Sequence, residues 1–334
     1  MTILTITLNP ALDLTTDTEK VESGYKLRCG PARLDPGGGG VNVSRAIAKL
    51  GGQSTPFIAI GGPTGDMLKS LLESEGIDAR WFAADGQTRQ SVVVNERSSG
   101  QQFRFVLPGP DWNAGQAERV LEAMEAELAS RRERVGHVVA SGSLPPGLPD
   151  DFYNRIGELA DRTGARFVLD TSGRMLDVAA GGGQHPPYAW IMDQREAEYL
   201  AGRSLPDLDA LERFGGELKA RKLAQILILT FGEGGAVVLS EGETLRATPP
   251  KVEVQSKVGA GDSFVGGLVL KLASGASLRE ACFYAVAAAA SAVTSPATAL
   301  CDAVQTERYF SMILRQQDEQ YQSPRNRSGV NDDA

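Results

Sequence analysis

The chain has 334 residues, 42% of them hydrophobic, with a formal net charge of -8 at pH 7 and a pI near 5.1. That length supports a full α/β core, whereas the acidic balance and the lack of any basic run argue against a nucleic-acid footprint. No apolar run reaches membrane-spanning length, and Met1 to Leu8 lacks the positive and long apolar regions of a signal peptide.

Cys29, Cys282 and Cys301 are far apart and odd in number, which fits buried thiols in a reducing cytoplasm. With only His137 and His185, a His-rich metal site is not expected.

In chain order, Ile3 to Leu8 alternates as a strand. It runs into Asn9-Pro10-Ala11-Leu12-Asp13, so Asp13 is expected in a loop at the carboxyl end of a parallel strand, the usual place for ligand contacts; a turn or cap residue explains it equally well. Leu14 to Leu34 is polar with no helical period and reads as short strands of a flap, Lys26 and Arg28 sharing one strand face. Pro36 and the run Gly37 to Gly40 open onto Val41 to Leu50, an amphipathic helix. A glycine run joined so abruptly to a helix reads as a binding loop rather than a linker. Neither the P-loop pattern nor the dinucleotide-binding Gly-x-Gly-x-x-Gly occurs in the chain.

Thr55 to Ile60 is expected as a strand and Gly65 to Glu75 as a helix. Gln90–Asn95 and Gln101–Leu107 read as a hairpin across Ser98-Ser99-Gly100, with Arg89 opening its first arm. Asn113 to Arg134 reads as an amphipathic helix whose buried stripe is Val120, Leu121, Met124 and Leu128. Strands at His137–Ala140, Arg166–Leu169, Tyr188–Met192 and Gln225–Leu229 each end in a loop rich in small or polar residues, with helices between them. This is the pattern of a mostly parallel sheet with ligand at its carboxyl edge. Asp193 and Glu196, three apart at a helix start, suit either a hydrated Mg²⁺ or a helix cap. Thr230 to Gly235 suits a nucleotide contact or a plain hairpin turn.

Val258-Gly-Ala-Gly-Asp-Ser263 combines two glycines, a carboxylate and the start of an apolar helix. The amides of Gly259, Ala260 and Gly261 would make an anion site at the helix N-terminus, with Asp262 beside it as a base. That combination suits phosphoryl transfer to a hydroxyl. Ser277 and Glu280 form a capping-box pattern for the Ala-rich helix that follows. Gln317 to Ala334 is polar and is expected to be a disordered tail.

Five stretches, Leu8-Asn-Pro-Ala-Leu-Asp13, Lys26-Leu-Arg-Cys29, Pro36 to Val43, Ser141-Gly-Ser-Leu-Pro-Pro-Gly147 and Val258 to Ser263, together resemble the ribokinase-like (PfkB) carbohydrate kinases, in family order. The resemblance covers Ile3 to about Cys301. It implies a three-layer αβα sandwich around a mostly parallel sheet, spanning 1–316, with a small inserted β-sheet lid drawn from about 14–35 and 82–107. It implies Asp262 as general base and the Gly259, Ala260 and Gly261 amides as stabilisers of the transferring phosphoryl group. Asp13, Gly38, Gly39, Asn42 and Ser143 would hold sugar hydroxyls, and Lys26, Arg28 and Arg89 a sugar phosphate. Asp193, Thr230, Gly232, Gly234 and Gly235 would meet ATP, Glu196 would reach Mg²⁺ through water, and carbonyls at Ser256 and Val258 would shape a K⁺ site. A cytoplasmic homodimer joined through the lids is implied as well.

The four-glycine run, where other members carry Gly-Gly-Lys-Gly, points to fructose 6-phosphate as acceptor. Fructose 1-phosphate or tagatose 6-phosphate is the alternative, and a sugar-phosphate sensor without activity the non-enzymatic one. Three departures stand out: the family's Lys-Pro-Asn is Ile191-Met192-Asp193 here, which removes a cation and adds an anion, and Ser295-Pro-Ala-Thr298 replaces a glycine-containing turn.

Overall fold

The computed structural model describes residues 2–130, 134–295 and 299–322. The chain enters as β1 (Thr2–Thr7) and then turns aside into β2 (Ala11–Thr18). β3 (Arg33–Gly37) returns it to α1 (Gly39–Lys49), followed by β4 (Thr55–Ile60), α2 (Gly62–Ser74) and β5 (Arg80–Ala83). A hairpin of β6 (Arg89–Glu96) and β7 (Gln102–Val106) precedes α3 (Ala114–Ser130). Then come β8 (Val135–Ser141), α4 (Phe152–Thr163), β9 (Arg166–Asp170), α5 (Arg174–Gly181), β10 (Ala189–Asp193), α6 (Gln194–Ala201) and α7 (Leu208–Ala220). β11 (Ile226–Thr230), β12 (Ala236–Leu239), β13 (Thr244–Ala247), α8 (Ala260–Ala273), α9 (Leu278–Val293) and α10 (Ala303–Gln322) complete it.

Nine strands form the main sheet in the order β13-β12-β11-β10-β9-β8-β1-β4-β5. All neighbours from β11 to β5 are parallel, while β12 and β13 are antiparallel. The strands alternate apolar residues into two cores, as expected of a sheet covered on both faces. Leu4, Ile6, Trp190 and Leu227 meet α3, α4 and α7 on one face. Ile3, Val139, Ile191 and Ile228 meet α1, α8, α9 and α10 on the other. Each fully buried Leu, Ile or Phe contributes about 1.5–3 kcal/mol, so this pattern sets the three layers. On α3, Val120 and Met124 are buried, and Leu121 and Leu128 flank them.

The second sheet, β3-β2-β6-β7, is the lid, and the structure corrects five expectations. Asp13 is the third residue of a strand, because β2 starts within four residues of the end of β1. Lys26 and Arg28 do not share a strand face, since 19–32 contains no strand. β6 covers one edge of β2 throughout, and on the other edge β3 pairs only Ala11–Thr15, since continuing its register would set Pro31, which has no N–H to donate, against Asp17. Arg80–Ala83 pairs with β4 and belongs to the main sheet. The expected tail is helical as far as Gln322. Cys29 is exposed rather than buried, and all three thiols are free.

Candidate active site

β1 and β8 are neighbours from which the chain departs in opposite directions, toward β4 and β5 on one side and β9 to β11 on the other. Ligands bind at such a switch point, outside the carboxyl ends of the strands. Two helix N-termini open there. At Gly39, which begins α1, a Cβ would lie 2.3 Å from Ser141 Oγ and 2.8 Å from the Gly142 nitrogen, so only glycine fits. Gly259, the N-cap of α8, has φ +77°, a region that glycine enters at least cost. Neither α1 nor α8 has a side-chain cap, leaving first-turn amides to meet an anion.

The structure brings Asn42 and Asp262 together from opposite ends of the chain: Asn42 Nδ2 donates to Asp262 Oδ2 at 3.0 Å. Burial pushes the Asp262 carboxyl up to about 7; the charges of Asp170 and Asp13 act in the same direction, and the Asn42 hydrogen bond and Arg45 oppose them. Asp170, at the end of β9, accepts from Ser141 Oγ at 2.8 Å. Burial and the charge of Asp193 push it up to about 6 against that hydrogen bond. The adjoining loop is clamped, because Tyr153 Oη and Thr171 Oγ1 donate to the Gly142 carbonyl at 2.7 and 3.2 Å.

On the lid, Asp13 stands opposite Asp35 of β3 and Ser91 of β6. Burial raises its pKa, opposed by a Ser91 hydrogen bond and the guanidinium groups of Arg89 and Arg104. Arg89 Nε donates to the Asn9 carbonyl at 3.1 Å, and Asn9 Nδ2 donates to Ser143 Oγ at 3.1 Å. Asp13, Ser91, Arg104, Val106 and Val258 line one open cleft between lid and main body. Lys26 and Arg28 are not gathered there. The Arg28 carbonyl accepts from Thr18 Oγ1, at the far end of β2 and roughly 16 Å along the strand from Asp13.

On the other side of the sheet, β10 and β11 place Asp193 beside Thr230. Asp193 and Glu196 form a full capping box, each carboxylate accepting the other's backbone N–H at 2.8 Å. Burial pushes Glu196 up to about 8; the Asp193 backbone N–H opposes this, and the charges of Asp193 and Asp170 add to it. Thr230 to Gly235 turns β11 into antiparallel β12, with Phe231 N donating to the Gly235 carbonyl at 2.7 Å. The Gln255 and Ser256 amides donate to the Val293 carbonyl. Of the turn expected to complete a K⁺ site with Ser256 and Val258, Pro296, Ala297 and Thr298 lie outside the described residues.

Sequence reading missed Asp170, Arg104 and Arg45. Asp170 was legible as a carboxylate at a strand end. Arg45 was legible as an arginine on the helix face that carries Asn42, three residues earlier.

Two uncapped helix N-termini around a half-buried carboxylate, at the switch point of an open α/β sheet, define an enzyme that transfers an anionic group. The chain belongs to the pfkB family of carbohydrate kinases, whose family model matches residues 7–305. It is 36% identical over 313 residues to ATP-dependent 6-phosphofructokinase isozyme 2 of Escherichia coli, covering 94% of this chain and 99% of that one. It is 34% identical over 280 residues to 1-phosphofructokinase of Xanthomonas campestris, covering 84% and 86%. The crystal structure of E. coli phosphofructokinase-2 in complex with potassium superposes with a TM-score of 0.86 at 35% identity, covering 93% and 99%.

Proposed function

We propose that this chain transfers the γ-phosphoryl group of ATP to the C1 hydroxyl of fructose 6-phosphate, giving fructose 1,6-bisphosphate and ADP. The observation that carries this reading is the Asn42–Asp262 contact at the mouths of α1 and α8. Asp262 takes the hydroxyl proton as the C1 oxygen bonds to phosphorus and the bond to ADP breaks. A carboxyl near 7 is ionised in part at neutral pH yet still basic enough to accept that proton. It is protonated below that pH, so kcat/KM falls as the pH drops through 7. The Gly259, Ala260 and Gly261 amides face the charge on the transferring group.

Asp13, Gly38, Gly39, Asn42 and Ser143 hold the sugar hydroxyls, and Arg89 its phosphate, with Arg104 in the cleft that Asp13 also lines. Lys26 and Arg28 reach a sugar phosphate from the partner's lid. The exposed Tyr25, Leu27, Phe105, Val106 and Leu107 suit a lid-to-lid homodimer.

Asp193, Thr230, Gly232, Gly234 and Gly235 flank the nucleotide. Among the described residues, no three His, Cys, Asp or Glu side chains are placed to hold a metal directly. Mg²⁺ therefore fits here as an ion carried by the nucleotide and met through water by Glu196, a carboxyl raised chiefly by burial and, to a lesser degree, by the charges of Asp193 and Asp170. It would neutralise phosphate charge. Carbonyls at Ser256 and Val258 suit K⁺, the ion bound by the E. coli relative. Two buried free cysteines and the absence of a helix long and apolar enough to cross a membrane among the described residues suit the cytoplasm.

ADP release with ATP-Mg²⁺ and K⁺ tests the reading, using fructose 6-phosphate, tagatose 6-phosphate and fructose 1-phosphate at equal concentration. Preference for fructose 6-phosphate is the expected result. Preference for fructose 1-phosphate would favour the second reading, which the similarity to a 1-phosphofructokinase supports. No release with any of them, from protein that a sugar phosphate stabilises and ATP-Mg²⁺ does not, would make it a sensor.

A further inference from the structure

Asn42 orients the base, and its own orientation is fixed in turn. A primary amide presents an oxygen on one side and two donors on the other, so only one of its two flips offers Nδ2 to Asp262. In that flip Asn42 Oδ1 faces Arg45, whose Nη1 lies 3.4 Å away. The same Nη1 donates to the Pro36 carbonyl at 3.1 Å. The other two guanidinium nitrogens form a fork on Glu75, with Nε to Oε2 and Nη2 to Oε1 both at 2.7 Å. Arg45 is only 4% exposed, among Val43, Ala46 and Ile47 of α1.

These contacts come from three places. Glu75 is the C-cap of α2, Pro36 lies on β3, the lid strand that returns to α1, and Asn42 is on α1 itself. A guanidinium held by a bidentate carboxylate cannot rotate freely. It can therefore impose a donor on Asn42 Oδ1 while also reading the position of the lid strand.

We infer that Arg45 is a positioning residue for the phosphoryl transfer: anchored by Glu75 and tied to the lid at Pro36, it locks the Asn42 amide in the flip that donates to Asp262. The inference rests on Asp262 being the base. It accounts for a buried guanidinium on a helix that could have carried an apolar residue there. In the flipped amide, Oδ1 would face the Asp262 carboxylate and Nδ2 would face the Arg45 guanidinium, and this second, donor-against-donor repulsion is the one that Arg45 supplies. The charges facing Asp262 are Asp170 from β9, Asp13 from β2 and Arg45 from α1, so removing Arg45 leaves two anions unopposed.

The test is single-turnover ADP formation across pH with Arg45→Met, Arg45→Lys, Glu75→Gln and Asp262→Asn. Arg45→Met is expected to lower the rate constant at least tenfold, leave the KM for both substrates within threefold, and move the acid limb of the rate upward from its position near pH 7. Arg45→Lys keeps a donor and a charge without the fork and is expected to recover part of both effects. Glu75→Gln loosens the fork with Arg45 in place and is expected to give a smaller change of the same sign, which keeps the test decisive if Arg45→Met does not fold. A folded Arg45→Met enzyme with an unmoved acid limb would overturn the inference, as would a Glu75→Gln enzyme with wild-type rate and profile. Asp262→Asn separates the two levels: if it turns over normally the base assignment itself fails, whereas if it is inactive and Arg45→Met is normal, only the role of Arg45 fails.

Discussion

The proposed base side and the proposed nucleotide side of the site are built on opposite plans. Around Asp262, side chains and backbone groups from α1, α2, β3 and α8 form one connected chain, Glu75 to Arg45 to Asn42 to Asp262, with a branch to Pro36. α8 is pressed between α1 and α9 at Gly266 and Gly267, where an added Cβ would lie 3.0 Å from Ala46 Cβ and 3.1 Å from Ala288 Cβ. On the nucleotide side the elements are self-sufficient. The Asp193–Glu196 box caps α6 by itself, Ile191 is buried in the core shared with α8 and α9, and Thr230 to Gly235 closes its own hairpin. Both Ile191 and Asp193, which depart from the family's motif, fall on this second side. Departures persist where each residue satisfies a local need, because Asp caps a helix as well as Asn does and Ile fills a core position better than Lys.

Three substitutions sharpen that contrast, in order of expected effect. Asp262→Asn should lower turnover by about 10³ or more while fructose 6-phosphate still shifts the melting temperature. The same variant should be the more stable protein at pH 8. The folded carboxyl is raised from 3.8 to about 7, so ionising it costs stability, increasingly from pH 4 to 7 and fully above, and a neutral amide escapes a cost of up to about 4 kcal/mol. A melting temperature at or below wild type would show that the base is not strained by its surroundings.

Ile191→Lys restores the cation of the family's motif and should raise kcat/KM for ATP about ten- to a hundredfold, the worth of a charge-assisted contact of about 1.5–3 kcal/mol. It should also lower the melting temperature, since an ammonium replaces a side chain that is 4% exposed. Unchanged ATP kinetics would mean that the nucleotide side has no place for that charge.

The smallest effect belongs to Gly266→Ala. Its methyl would meet Ala46 Cβ at 3.0 Å and the Val43 carbonyl oxygen at 3.2 Å, so α8 must move by a few tenths of an ångström. Better helix propensity offsets about 1 kcal/mol of overpacking. Stability should hardly change, and kcat should fall about two- to fivefold as Asp262 is displaced from Asn42. An unchanged kcat would show that the base tolerates such movement.

Most of the architecture was legible in the chain. Alternating apolar strands ending in small-residue loops gave the parallel sheet and its ligand edge, and Gly37 to Gly40 together with Gly259 and Gly261 marked the two helix N-termini. The lid was harder to read. Arg80–Ala83 alternates like the lid strands, yet it pairs with β4, a choice made by the free edge of the main sheet and invisible in local pattern. Lys26 and Arg28 alternate as strand residues do, but pairing along that edge of β2 stops at Thr15, with Pro31 interrupting the ladder before it reaches them. Asp193 and Glu196 suit a cap or a metal equally by spacing, and hydrogen-bond geometry showed the cap.

What the sequence determined by itself is whatever depends on short-range chemistry: the period of each helix and strand, the glycines a tight approach requires, and the motifs of a carbohydrate kinase. What only the tertiary structure decided is which distant residues share a field. Asn42 and Asp262 are 220 positions apart and 3.0 Å apart in space, and the carboxyl near 7 arises from burial together with anions on β2 and β9. Desolvation and Coulomb energy depend on distance through the folded protein, so a carboxyl raised to about 7 and the arginine beside its Asn42 partner come together only once the sheets and helices have packed.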